Sequence, residues 1–302
     1  MTTTMDTADA LDSAFREAVA AIDAGDVAQL ERLVAANPAL VRDRLASPGA
    51  WLRDKVGGAL DGFFKRPYLL WFVAEDPVRN GTLPANIAAV ARAIIDAARR
   101  DGTANLQEQL DYALTLVSWS WIAQRHGVQL DLIDVLVDAG AALGGNQNNA
   151  LVNGHVEAAE HLVRRGATLT LEVALFLERW DDVDRILPTV GDKEKQFAFV
   201  LSALHGKTSA LRRLLEAGAD VNAPSAGLYS HGTPLHHAVS SGSLDAVRIL
   251  VEAGANLNAA DTAWNGVPLG WAQYYTDQEH KPHPDRQYAE IAAYLREHYA
   301  DR

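Results

Sequence analysis

The stretch Gly232-Thr-Pro-Leu-His-His-Ala-Val-Ser-Ser-Gly-Ser-Leu-Asp-Ala-Val-Arg-Ile-Leu-Val-Glu-Ala-Gly-Ala-Asn-Leu-Asn-Ala-Ala-Asp261 decides how the chain is read. Thr233 and Pro234 open a helix, because proline is tolerated in a first turn where its missing N–H costs nothing. Leu235, Ala238 and Val239 form a short apolar stripe, and Gly242 ends it. A second helix starts near Ser243 and places Leu244, Val247, Leu250 and Val251 on roughly one face. Gly254 then supplies a left-handed cap. Two helices this short cannot bury their apolar faces alone, so the unit demands copies of itself.

These residues resemble an ankyrin repeat, and Thr233–His236 matches that family's most specific tetrapeptide. The resemblance implies an all-α ankyrin-type helical solenoid. It further implies that His236 is structural, bonding the turn backbone and a neighbouring threonine, and that His237 and Trp271 pack between repeats.

Composition bounds the function. The 302 residues are 48% hydrophobic, ample for a core, and carry a formal net charge of −12. That balance argues against a sequence-independent grip on nucleic acid. With no cysteine, disulfides, thiolate catalysis and cysteine-bound metals are excluded. The residues after Met1 lack the basic-then-apolar layout of a signal peptide, and no apolar run approaches the ~18 residues that span a bilayer. A cytoplasmic location without membrane contact is expected.

Along the chain, residues 1–10 read as a flexible N-terminus and 11–302 as one solenoid of about eight helix pairs. Helices are expected over 12–24 and 27–36. Residues 42–66, punctuated by Pro48-Gly49 and Gly57-Gly58, read as an inserted segment packed through Trp51, Leu52, Phe63 and Phe64. Further helices are expected over 67–75 and 84–99, and then pairs over 106–141, 148–167, 171–190, 194–222 and 233–254. A last pair follows at the C-terminus. The second-helix positions Leu136, Leu162, Ile186 and Leu214 recur at intervals shorter than the ~33 residues of the family. Compressed inner repeats leave no room for extended finger loops, so long loops are expected only near the C-terminus, at 222–233 and 258–266.

Two constellations are candidate sites. The resemblance implies that partners meet the concave face, formed by the finger loops and the last residues of each first helix. Here those positions hold His205, Tyr229, His231, Ser240, Ser241, Trp264, Asn265, Tyr274 and Tyr275. Tyrosine, tryptophan and histidine gathered on one face are side chains that dominate binding hot spots; the alternative is that they plug gaps in the stack. The second constellation is central. Insertions after the first helices of neighbouring repeats should lie side by side. That would gather Glu75, Asp76 and Arg79 with Arg125 and His126, beside Asp111, Tyr112, Trp119 and Trp121. The pocket set is Glu75, Arg79, Asp111, Tyr112, Trp119 and His126. A carboxylate, a guanidinium, an imidazole and aromatic walls suffice for a small polar ligand or for moving protons; the alternative is an ion-pair network over buried rings.

Other signals carry less. Glu279, His280, His283 and Asp285 are ligand-type residues, but two prolines among them favour a solvated loop over a metal site. Asn80-Gly81-Thr82 matches a glycosylation sequon that has no use without secretion. No phosphate-binding loop, dinucleotide fingerprint or hydrolase nucleophile motif is present, and no cofactor or metal is expected. The leading expectation is a non-catalytic module that binds an unidentified protein through its concave face. The alternative is an enzyme or small-molecule-binding protein with a pocket around residues 71–126.

Overall fold

The computed structural model describes residues 2–277 and 286–300 and, among them, helices without strands. The candidate ligands at 279, 280, 283 and 285 lie outside the described residues. Contacts divide the chain into two compact units, residues 1–168 and 169–302. The sequence suggested one continuous body from residue 11.

The N-terminal unit contains α1 (Thr2–Ala24), α2 (Val27–Ala36), α3 (Ala39–Arg42), α4 (Ala50–Val56), α5 (Ile87–Asp101), α6 (Leu106–Ser118), α7 (Trp121–Arg125), α8 (Gln129–Asp138), α9 (Asn146–Val152) and α10 (Val156–Arg164). A tight 3-10 helix, Leu69–Ala74, takes the place of a first helix between α1 and α6 and touches both. Behind this row, α2, α5, α8 and α10 pack in sequence as the second helices. Helix α1 begins at Thr2, inside the segment expected to be flexible. The inserted segment is tied to α1 by Asp12, whose Oδ1 accepts from the Gly49 amide at 2.8 Å and the Trp51 indole at 2.9 Å. Leu52 and Phe64 from the same segment are fully buried.

The C-terminal unit contains α11 (Leu171–Phe176), α12 (Trp180–Ile186), α13 (Asp192–Leu204), α14 (Thr208–Glu216), α15 (Pro234–Ser241), α16 (Leu244–Glu252), α17 (Pro268–Thr276) and α18 (Tyr288–Ala300). Its first helices α11, α13, α15 and α17 touch in order, as do the second helices α14, α16 and α18. Local chemistry sets the ends. Ser243 caps α16 by accepting from the Ala246 amide, Pro234 sits in the first turn of α15, and Gly242 closes α15 at φ +72°. The long connections are residues 217–233 and 253–267, where the repeat spacing placed them. Among the described residues, no helix is long and apolar enough to cross a membrane.

Leu214 and Leu250 are fully buried, on adjacent second helices. Replacing either by alanine is expected to cost about 2–5 kcal/mol through lost transfer energy and a residual cavity. Gly254 has φ +92° and open space where a Cβ would stand, so Gly254→Val is disfavoured by backbone strain rather than by a clash. Chemical denaturation of the three variants checks this; wild-type midpoints throughout would mean that the helix faces are misassigned.

Candidate functional site

In the N-terminal unit the two central insertions do meet. Ser120 caps the short helix α7 through the Ala123 amide and donates its hydroxyl to the carbonyl of Ala74 at 2.7 Å. His126 Nε2 lies 3.5 Å from the Gly81 carbonyl. The side chains gathered there have different tasks from those the sequence suggested.

Glu75 is fully buried in a left-handed conformation at φ +53°, so its own following loop folds back over its carboxylate. Oε1 accepts from the amides of Arg79, Asn80 and Gly81, and Oε2 from the Arg79 guanidinium at 2.7 Å. Arg79 in turn bonds Asp23 on α1 at 2.9 Å, lies over the Phe72 ring, and has a side chain only 3% exposed. This is a buried, closed network that fixes the loop of residues 76–81. Glu75 and Arg79 are therefore not free to receive a ligand, a correction to the pocket expected from sequence.

Asp111 is also elsewhere. It accepts from Gln107 and from the Ala142 amide, holding the connection that follows α8. Tyr112 and Trp119 do belong to the region. Both are half-buried; the Tyr112 ring packs on Trp71 at 4.5 Å and Trp119 packs edge-on to Phe63 at 5.3 Å. The Tyr112 hydroxyl donates to the Phe63 carbonyl, so the inserted segment supplies one wall.

Asp76 has the least satisfied carboxyl in this region. It is 6% exposed, and its Oδ2 has no hydrogen-bond partner among the described residues. Burial pushes its pKa up, the neighbouring Glu75 charge adds to this, and Ser120 offsets it in part, leaving it at about 7. Tyr112 is raised as well, by burial and then by the Asp76 charge.

In the C-terminal unit the aromatic residues form an unbroken strip. His231 lies 5.1 Å from Trp264 and stacks on Trp271 at 5.9 Å, with Tyr229 on its other side at 6.3 Å. Trp271 reaches Tyr275, which meets Tyr274 at 5.5 Å and stacks on Tyr288 at 5.0 Å. The rings run edge to edge along one face. Trp264, Tyr274 and Tyr229 are 71%, 56% and 52% exposed.

A single carboxylate holds this strip in place. Asp261 accepts from the amides of Ala263, Trp264 and Gly266 and from the Trp271 indole. Burial would raise its pKa, but those donors outweigh it and hold it at about 2. The loop that presents Trp264 and Asn265 is thus fixed by an anion charged at any ordinary pH. Asn265, exposed at φ +54°, bonds back to the Asp261 carbonyl.

The remaining expected contact residues divide. The Ser240 hydroxyl is 3.4 Å from that of Tyr275 and joins the strip. Ser241 instead donates to the Ala238 carbonyl and accepts from the Ser243 amide, a local cap. His205 packs 5.6 Å from Phe176, away from the strip's ring contacts. Among the described residues no cluster of three His, Asp or Glu is placed to hold a metal ion.

Residues 150–261 match the family model for ankyrin repeats, in three copies. Over that stretch the chain is similar to ankyrin repeats. Among solved structures it is similar to the human ASB11 ankyrin repeat domain, at 16% identity and a TM-score of 0.41, over 92% of this chain and 96% of that one. No curated protein matches the sequence.

Within the matched stretch, His236 has the structural role its tetrapeptide implies. Its Nδ1 meets the amide and hydroxyl of Thr233, and its Nε2 lies 3.0 Å from the Gly266 carbonyl of the next loop. His237 is buried too, held at about pKa 4 by burial first and by the His231 charge second. Trp271 departs from the expectation: it is half-buried and bridges His231 to Tyr275. Asp261 was not singled out in the sequence. An aspartate followed at two, three and five residues by the amides it binds is an Asx-type turn signal that could have found it.

Proposed function

We propose that the C-terminal unit is a protein-recognition module whose contact surface is the aromatic strip from Tyr229 to Tyr274. Ankyrin repeats are generally protein–protein interaction modules, and the proposal assigns that role to particular residues. The observation that supports it most is the exposure of Trp264, Tyr274 and Tyr229 along one run of touching rings. Large exposed aromatics held on a rigid support are the usual anchors of an interface, because they contribute area at little entropic cost. The Asp261-centred loop provides that support. His205 and Ser241 leave the contact set, and Trp271 enters it as a buttress.

Truncating a central aromatic anchor commonly costs ~2 kcal/mol or more of binding, roughly thirtyfold in affinity. Trp264→Ala and Tyr274→Ala are therefore expected to lose partner capture while melting close to wild type, since exposed side chains contribute little to folding. Pull-down from the source cell, read by mass spectrometry beside thermal melts, checks both at once. Large losses of stability would make the rings gap-fillers and end the reading.

A further inference from the structure

Two adjacent carboxylates at the turn after the 3-10 helix Leu69–Ala74 have opposite fates. Glu75 has both oxygens saturated, by three amides and a guanidinium. Asp76 is nearly as buried, yet Oδ2 meets no donor among the described residues. A buried acceptor left unmatched loses its hydration without compensation, so such a group calls for a partner from outside the chain.

The surroundings restrict what that partner can be. Ser120 gives its hydroxyl proton to the Ala74 carbonyl and lies close enough to Asp76 to lower its pKa in part, but it makes no hydrogen bond to Oδ2. Arg79 is engaged by Glu75 and Asp23, Lys55 is bonded to Asn80, and His126 faces the Gly81 carbonyl. No cation of the protein is thus placed on Asp76 among these neighbours. Tyr112 from α6 lies close enough for the Asp76 charge to act on its phenol, and its ring packs on Trp71. Trp119, the residue that ends α6, packs against Phe63. A divalent metal would need several oxygen ligands, and only one carboxylate here has a free oxygen. A compact organic cation needs one anionic acceptor and aromatic faces, which are attractive to cations.

We propose that Asp76 anchors a binding site for a small primary ammonium ion in the N-terminal unit, with Oδ2 accepting from the ammonium and the Tyr112 ring flanking its alkyl group. The site is independent of the aromatic strip in the C-terminal unit, so either proposal can fail alone. Binding a cation to the ionised carboxylate must compete with its proton. Affinity then climbs by about tenfold per pH unit while the carboxyl is protonated, and levels off above its titration.

The test uses the whole chain and three probes of similar size: n-propylammonium, tetramethylammonium and 1-propanol. Carboxyl-labelled aspartate is followed by NMR across pH. Saturable binding of n-propylammonium that lowers the Asp76 titration is expected, with a response at least tenfold weaker from the other two, which lack the charge or the N–H. Asp76→Asn is expected to lose n-propylammonium binding. Failure of n-propylammonium to bind the wild type overturns the proposal. An equal response to tetramethylammonium or propanol does so too, as does undiminished binding by Asp76→Asn. The three-probe comparison in the wild type decides the matter even if the variant does not fold.

Discussion

Replacing Glu75 by alanine is expected to destabilise the N-terminal unit by about 3–5 kcal/mol, the cost of breaking a buried ion pair and stranding its partner. The side chain is fully buried, and its removal leaves the Arg79 guanidinium with only Asp23 as a counter-charge. It also strands the amides of Arg79, Asn80 and Gly81, which share Oε1. Glu75→Gln keeps an acceptor for those amides and is expected to cost less. Because the Glu75 charge helps to raise Asp76, the Gln variant should also lower the Asp76 titration. Urea denaturation followed by tryptophan fluorescence measures the first effect. A change below ~1 kcal/mol for the alanine variant would mean that the loop does not depend on this carboxylate.

The second large effect is a pH dependence carried by Asp76. Its folded pKa of about 7 lies well above the 3.8 of an ordinary aspartate, so between these values the folded state holds a proton that the unfolded chain releases. The direction follows from linkage. The contribution is fully present below about pH 4, falls as pH rises through 7, and is lost above it. At 1.36 kcal/mol per unit, the shift corresponds to about 4 kcal/mol. Asp76→Asn cannot ionise, so its stability relative to wild type is expected to rise by about that amount between acid and mildly alkaline pH. Groups that do not interact with Asp76 titrate equally in both proteins and cancel. A difference that stays flat over this range would mean that the Asp76 carboxyl is solvated. In the presence of n-propylammonium the alkaline loss should shrink, because the ion stabilises the charged form.

The sequence by itself determined the helical architecture. In residues 233–254 a proline in the first turn, apolar residues at helical spacing and glycine stops each specify local geometry, and together they require stacked neighbours. The short spacing between Leu136 and Leu214 likewise placed the long loops near the C-terminus, since a compressed repeat has room for two helices and a turn only. His236 was legible for the same reason, because its bonds to Thr233 are local.

The candidate sites were legible only in part, because side-chain types do not reveal which atoms are already engaged. Glu75 and Asp76 are adjacent carboxylates in the sequence. A left-handed backbone at Glu75 turns three following amides onto one of them and leaves Asp76 with an unmatched oxygen. Asp111 was grouped with Tyr112, yet it faces the Ala142 amide on another side of its helix. In the C-terminal unit the sequence supplied the aromatic residues, and packing decided that Trp271 would join them through Asp261 while His205 went to Phe176. Periodicity fixes which face of a helix is buried, because burial repeats with the turn of the helix. Only tertiary structure decides which polar atoms remain unmatched, because that depends on donors and acceptors brought together from separate segments.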